Sequence, residues 1–188
     1  MKKKVILVGA STGGPSQIKE MLCAITHLPC TIIIVQHMQE DILPFFIKDL
    51  KDSLEHKVFS TPTENIFDEP SVIVCSQSSV LKKSAKHYNI IADSQNQVYT
   101  PDINKLFNSF VFYAEDFDIK IIIMTGIGND GVDGAIKLKA KGAKVIAQDE
   151  KSSPVYGMPR VAVESGIVNE VKSIGELIEC FRSLRWGS

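Results

Sequence analysis

No apolar run in the chain approaches the ~20 residues that a membrane-crossing helix requires. Aliphatic runs such as Ile32 to Val35 and Ile121 to Met124 are strand-sized, so direct membrane insertion is not expected. Neither sign of charge is in excess: 21 Lys+Arg face 22 Asp+Glu, a formal net charge of -1. That balance gives no overall attraction toward nucleic acid or anionic lipid. Cysteine is scarce, and Cys23, Cys30, Cys75 and Cys180 show no C-x-x-C spacing. A disulfide framework is therefore not expected, and reduced thiols in a cytoplasmic protein are. His27, His37, His56 and His87 form no H-x-x-x-H spacing or Cys/His pair, so no metal site is expected. Repeats, low-complexity tracts and Gly/Ser linkers are also missing, which leaves residues 1–188 as a single domain. The start, Met1-Lys2-Lys3-Lys4 followed by Val5 to Val8, superficially resembles a signal peptide. Its apolar run is too short for one, however, and enters a glycine loop, as a first strand would.

With 188 residues and 44% hydrophobic content, the chain is long enough to close one core. A chain of this size buries about 70% of its unfolded surface. Aliphatic runs at Val5–Val8, Thr31–Val35, Val72–Cys75, Ile119–Met124 and Lys144–Gln148 lack polar alternation, as expected of strands covered on both faces. Amphipathic segments between them predict helices over Pro15–Thr26, Asp41–Leu54, Ile103–Glu115, Val132–Lys141, Pro159–Ser165 and Ile174–Leu184. The expected fold is α/β: a doubly wound, mainly parallel sheet with helices on both faces. Between Ser60 and Thr100 the pattern changes. Tyr88–Ile91 and Gln97–Tyr99 around Ser94-Gln95-Asn96 predict a small β-hairpin insertion.

In such sheets ligands bind beyond the carboxyl ends of the strands, so the segments after Val8, Val35 and Met124 share one mouth. The first, Gly9-Ala10-Ser11-Thr12-Gly13-Gly14-Pro15, holds G-x-S-x-G between a strand and a helix. Ser11 there is either a nucleophile on a tight turn or part of a phosphate-cradling or purely structural glycine turn. The second places His37 at the end of an aliphatic run, as a general base for Ser11 or as a structural histidine. The third, Thr125 to Gly131, delivers Asp130 at the start of a helix. It is either a helix cap or the carboxylate that orients His37.

The third turn carries a competing reading. Gly126, Gly128 and Gly131 match G-x-G-x-x-G after a strand and before a helix, with Asp149 after the next strand, so a dinucleotide-binding protein is the main alternative. Asp130 inside the loop would then oppose a pyrophosphate, and Ser11 and His37 would have no role.

V-G-A-S-T-G-G-P at Val8–Pro15, Q-H-M at Gln36–Met38 and T-G-x-G-N-D-G at Thr125–Gly131 together resemble the catalytic domain of the chemotaxis protein-glutamate methylesterase (CheB) family. Ala147-Gln148-Asp149-Glu150 and Tyr156-Gly157-Met158-Pro159-Arg160 extend the resemblance over most of the chain. It implies Ser11, His37 and Asp130 as a catalytic triad acting without a cofactor. The implied activity is hydrolysis of glutamate methyl esters on the cytoplasmic helices of methyl-accepting chemoreceptors, together with deamidation of selected glutamines. Within that frame the backbone N–H groups of Thr12 and Ile127 are oxyanion-hole candidates. Met158 and Arg160 are substrate-side candidates, while Trp186 is expected to pack a helix.

The sequence departs from the family pattern in places. Ile127 stands where a methionine is usual, Cys75-Ser76-Gln77-Ser78-Ser79 replaces P-G-x-x-H, and Thr100-Pro101-Asp102-Ile103-Asn104 only echoes R-P-S-V-D. With the first strand at Val5, no receiver domain is expected before it, and a stand-alone esterase without phosphorylation control in the same chain is expected. A receptor-docking protein without turnover is the non-catalytic alternative.

Overall fold

The computed structural model describes residues 2–93, 95–96 and 98–183. Seven strands form one sheet: β1 (Lys3–Ala10), β2 (Thr31–Gln36), β3 (Val58–Ser60), β4 (Val72–Val74), β7 (Phe117–Ile123), β8 (Lys144–Gln148) and β9 (Glu170–Lys172). Between β4 and β7 in the chain, β5 (Ser79–Ser84) and β6 (His87–Ala92) pair as a separate antiparallel hairpin. The six helices are α1 (Gly14–Cys23), α2 (Leu43–Ser53), α3 (Ile103–Val111), α4 (Val132–Ala140), α5 (Met158–Glu164) and α6 (Ile174–Arg182).

The sheet order is β3-β4-β2-β1-β7-β8-β9, and every neighbouring pair runs parallel. β1 lies in the middle. The chain first builds leftward through β2, then returns to β1's other side with β7. The switch point between β1 and β7 is where an open α/β sheet leaves a crevice at its carboxyl edge.

The uninterrupted aliphatic strands follow from this double covering. Along β1, Val5 and Leu7 face one layer with Ile33, Val35, Ile121 and Ile123, while Ile6 and Val8 face the other with Ile32, Ile34 and Ile122. α3, α4 and α5 close the first face with residues such as Leu106, Phe107, Leu138 and Ala162. α1, α2 and α6 close the second with Ile18, Leu22, Phe46, Leu50 and Phe181. Because successive side chains in a strand point to opposite faces, both parities must be apolar, and alternation disappears from the sequence.

The doubly wound α/β fold expected from the sequence is the one found, with boundaries differing by a few residues. Three differences are larger. The hairpin exists, but its arms are Ser79–Ser84 and His87–Ala92, and Val98 and Tyr99 belong to no strand. Its turn, at Ala85 (φ 52°) and Lys86, lacks the Asn-Gly or Asp-Gly signal of a two-residue hairpin. Lys82 and Lys83 mask the first arm, whose Leu81 packs inward beside Tyr88 and Ile90. α3 stops at Val111, and Ala114–Asp116 forms a separate short 3₁₀ turn. The edge strands β3 and β9, at three residues each, are too short to leave a periodic signal. Ser94, Gln97 and the expected helix end at Leu184 lie outside the described residues, as does Trp186.

Burial sets the thiol chemistry. Desolvation pushes the thiols of Cys30 and Cys75 up to about 12, whereas Cys23 is exposed. The thiolate is the nucleophile. At pH 8 iodoacetamide is therefore expected to alkylate Cys23 in the native protein but Cys30 and Cys75 only after denaturation, read by peptide mass mapping.

Candidate active site

β1, β2 and β7 deliver the three loops singled out in the sequence to one edge. Where β1 ends, the Ser11 N–H donates to the Thr125 carbonyl (2.9 Å), tying the first loop to the third. The Ser11 carbonyl accepts from Gly14 N–H (2.9 Å) and from Gln36 Nε2 (2.8 Å), which closes a tight turn into α1. Gly13 holds that turn at φ 84° against Pro154, where a Cβ would fall 2.7 Å from the proline's own Cβ. Gly126 permits a second close approach: a Cβ there would stand 2.5 Å from both Ser11 Cβ and Met158 Sδ. Ser11 is only 9% exposed, and its hydroxyl makes no hydrogen bond among the described residues.

His37 continues the ladder between β1 and β2, its N–H donating to the Ala10 carbonyl (2.9 Å). Its imidazole Nε2 lies 2.7 Å from Asp130 Oδ2. In the serine-protease arrangement the carboxylate holds Nδ1 and Nε2 serves the serine. Here the ring is held by Nε2, so Nδ1 is the nitrogen left for a hydroxyl.

Asp130 is fully buried. Its Oδ1 accepts from Asn104 N–H (2.9 Å) and Gly131 N–H (2.8 Å), and Oδ2 from Ile103 N–H (2.8 Å) and His37. Two donors per oxygen suit an acceptor-only carboxylate. Ile103 and Asn104 supply the first two N–H groups of α3, and Asp102 accepts the third, from Lys105 (2.8 Å). The aspartate thus does not cap its own following helix, one of the two roles open to it from sequence. α4 has Gly131 as its N-cap and no side-chain cap, and Asp130 instead sits on the positive end of α3, a helix from elsewhere in the chain.

Residues without an assigned role in the sequence reading brace this centre. Gln148 Oε1 accepts from Thr125 N–H (2.9 Å), while its Nε2 donates to the Ser152 carbonyl and Gln17 Oε1 (2.9 Å each). Thr125 Oγ1 donates to the Thr12 carbonyl (2.8 Å) and accepts from Val155 N–H (3.0 Å). The Gly126 carbonyl accepts from Met158 N–H (2.8 Å) and Gly157 N–H (3.1 Å). The segments Ala147 to Glu150 and Tyr156 to Arg160 thereby lock the Ser11 and Asp130 loops together. Gln36 donates to Ser11 and His37 carbonyls, leaving its Oε1 as the buried side-chain polar atom without a partner among the described residues. Tyr99 stacks on His37. No sequence signal marked it, because its segment read as a hairpin arm.

Thr12 and Ile127 are exposed, and their backbone N–H groups donate no hydrogen bond among the described residues. Met158 is completely buried behind Gly126 and presents no surface to a substrate. Arg160 is exposed and pairs with Glu164 at 3.3 Å, one turn along α5. Among the described residues no group of three metal-ligating side chains occurs and no helix is long and apolar enough to cross a membrane. Within the Gly126–Gly131 loop the Asp130 carboxylate takes the Gly131 N–H (2.8 Å), a group that a pyrophosphate-binding loop would offer to its ligand.

Ser11, His37 and the buried Asp130 carboxylate thus all lie at the carboxyl edge of an open α/β sheet, beside its switch point. Residues 6–180 match the CheB methylesterase family, and the chain belongs to that family. It is 32% identical over 178 residues to the protein-glutamate methylesterase/protein-glutamine glutaminase of Sulfurimonas denitrificans, covering 93% of this chain and 50% of that protein. It is 34% identical over 184 residues to protein-glutamate methylesterase/protein-glutamine glutaminase 2 of Koribacter versatilis, covering 93% and 49%. The chain thus spans about half the length of the curated relatives it matches. The crystal structure of the Thermotoga maritima CheB methylesterase catalytic domain superposes with a TM-score of 0.82 at 25% identity, over 95% of this chain and 99% of that one.

Asp130→Asn can turn its NH₂ toward Asn104 and Gly131, opposing two N–H donors, or toward Ile103 and His37, opposing the Ile103 N–H while His37 shifts to the tautomer in which Nε2 accepts. With about 1–3 kcal/mol lost for a buried donor left unpaired, and one such donor in the second orientation, an unfolding free energy lower by about 1–3 kcal/mol is expected in urea titration. Gly126→Ala is expected to keep the circular dichroism spectrum while displacing Ser11, at a cost of about a hundredfold in turnover.

Proposed function

We propose that this chain is a serine esterase that demethylates glutamate methyl esters, and deamidates glutamines, on the cytoplasmic helices of methyl-accepting chemoreceptors in chemotactic adaptation. The observation that carries the reading is the His37 to Asp130 contact of 2.7 Å, with Asp130 fixed by backbone donors beside the Ser11 turn. Family membership supports the substrate class, as do relatives named for both activities.

In this reading Ser11 Oγ attacks the ester carbonyl as its proton passes to His37 Nδ1. Asp130 keeps the proton of His37 on Nε2 and stabilises the imidazolium. The N–H groups of Thr12 and Ile127, which have no internal partner among the described residues, receive the developing oxyanion. The imidazolium returns the proton to departing methanol, or to ammonia when a glutamine is attacked. Water, activated by the same Nδ1, then releases the glutamyl carboxylate and restores Ser11. No step calls for a cofactor. Met158 acts from behind, as the floor that sets the height of Gly126. Arg160 is the residue placed to meet an acidic receptor helix, and a cytoplasmic location follows from that substrate.

The test is methanol release from methylated receptor cytoplasmic fragments, with ammonia detection on glutamine-bearing fragments. Wild type is expected to turn over at least one of them, and Ser11→Ala to lower turnover about 10⁴-fold or more with the fold intact. Undiminished release by Ser11→Ala would refute the nucleophile. Failure of wild type on both substrates would refute the assignment.

A further inference from the structure

The imidazole of His37 is held in its own plane by Asp130, but a hydrogen bond at one edge does not by itself stop the ring from rocking or admitting water over its face. Tyr99 covers that face. Its ring lies 5.1 Å from the His37 ring, centroid to centroid, with 12° between the planes. Only 12% of the His37 side chain is exposed. Tyr99 is tethered at both ends. Its hydroxyl lies 3.4 Å from Asn129 Oδ1, reaching over Gly128 to the residue before Asp130. Its carbonyl accepts from Ser78 Oγ at 3.5 Å, and Ser78 Oγ in turn accepts from Asp102 N–H at 2.9 Å, at the start of α3. The loop that carries the tyrosine is thus anchored to the helix that holds Asp130.

We propose that Tyr99 is a positioning residue for His37. It clamps the imidazole in the orientation that gives Nε2 to Asp130 and leaves Nδ1 to Ser11, and its electron-rich face stabilises the imidazolium formed during attack. The proposal rests on the reading of His37 as the base. An aromatic face attracts a cation placed over it, and more strongly where water is excluded. Neutral imidazole gains less from that face than imidazolium does, so the effect favours the transition state over the resting site. The hydroxyl contributes a tether, and the ring carries the function.

The experiment combines steady-state methanol release with proton NMR of the His37 Nε2–H that donates to Asp130. Tyr99→Leu is expected to lower kcat about tenfold with KM within twofold, and to broaden the Nε2–H line through exchange with solvent. Tyr99→Phe is expected to restore both. If Tyr99→Leu fails to fold, pentafluorophenylalanine at position 99 is the second variant. It keeps the ring's shape while reversing the potential of its face, and kcat is expected to fall as for leucine with the NMR line kept. A sharp line and unchanged kcat in Tyr99→Leu, or unchanged kcat with the fluorinated ring, would overturn the proposal. A rise in KM alone would overturn it too, by making Tyr99 a substrate contact. The NMR line needs no turnover. A wild type that is inactive on receptor fragments but loses the line in Tyr99→Leu would remove the esterase reading and leave the clamp standing.

Discussion

The carboxylate of Asp130 joins three parts of the chain that sequence keeps far apart: the loop after β7, the first turn of α3 and the imidazole that ends β2. A buried charge is tolerated only when its acceptor sites are filled. That constraint requires α3 to aim its N-terminus at the β7 loop, and it fixes where the segment before α3, with Asp102 and Tyr99, must lie. A separate bond, from the Ser11 N–H to the Thr125 carbonyl across the paired β1 and β7, ties the serine turn to the same loop. Everything the site needs from the fold is contained in those demands.

The inner strands meet them by being dry over most of their length. With both faces covered, no strand needs polar alternation, so the polar residues concentrate where the strands end. Ser11, Gln36, His37, Thr125, Asp130 and Gln148 stand at or just beyond the carboxyl ends of β1, β2, β7 and β8. Several of them, Gln36, Thr125 and Gln148 in particular, satisfy backbone groups of the crossing loops instead of meeting solvent. Apart from Gln36 Oε1, which has no partner among the described residues, such networks rigidify the groups they hold, and a nucleophile that must meet its base within hydrogen-bond distance benefits from that rigidity.

Sequence reasoning reached the sheet because long aliphatic runs and glycine turns are local signals. It reached Ser11 and His37 because each directly follows such a run. It singled out Asp130, but with a helix cap as the commoner role, since whether an aspartate caps its own helix or another's depends on a contact with residues 103 and 104. The hairpin was misplaced by its lysines and by a turn without glycine. Tyr99 was hidden for a related reason: its partner ring is distant in sequence, and a tyrosine beside a turn has many ordinary uses. The bracing by Gln148 was equally invisible, because a glutamine at a strand end announces neither its donor nor its acceptor.

The central claim is that Ser11 is an activated nucleophile and that His37, held by Asp130, activates it. A fluorophosphonate probe reports this directly, because it bonds covalently to a serine whose proton a neighbouring base removes. The tryptic peptide of residues 5–19 contains both Ser11 and Ser16, so fragment spectra must place the added mass. The account predicts rapid labelling at Ser11 in the wild-type protein and almost none in His37→Gln. Labelling at Ser16 or elsewhere, or equal labelling of Ser11 in both proteins, would contradict it.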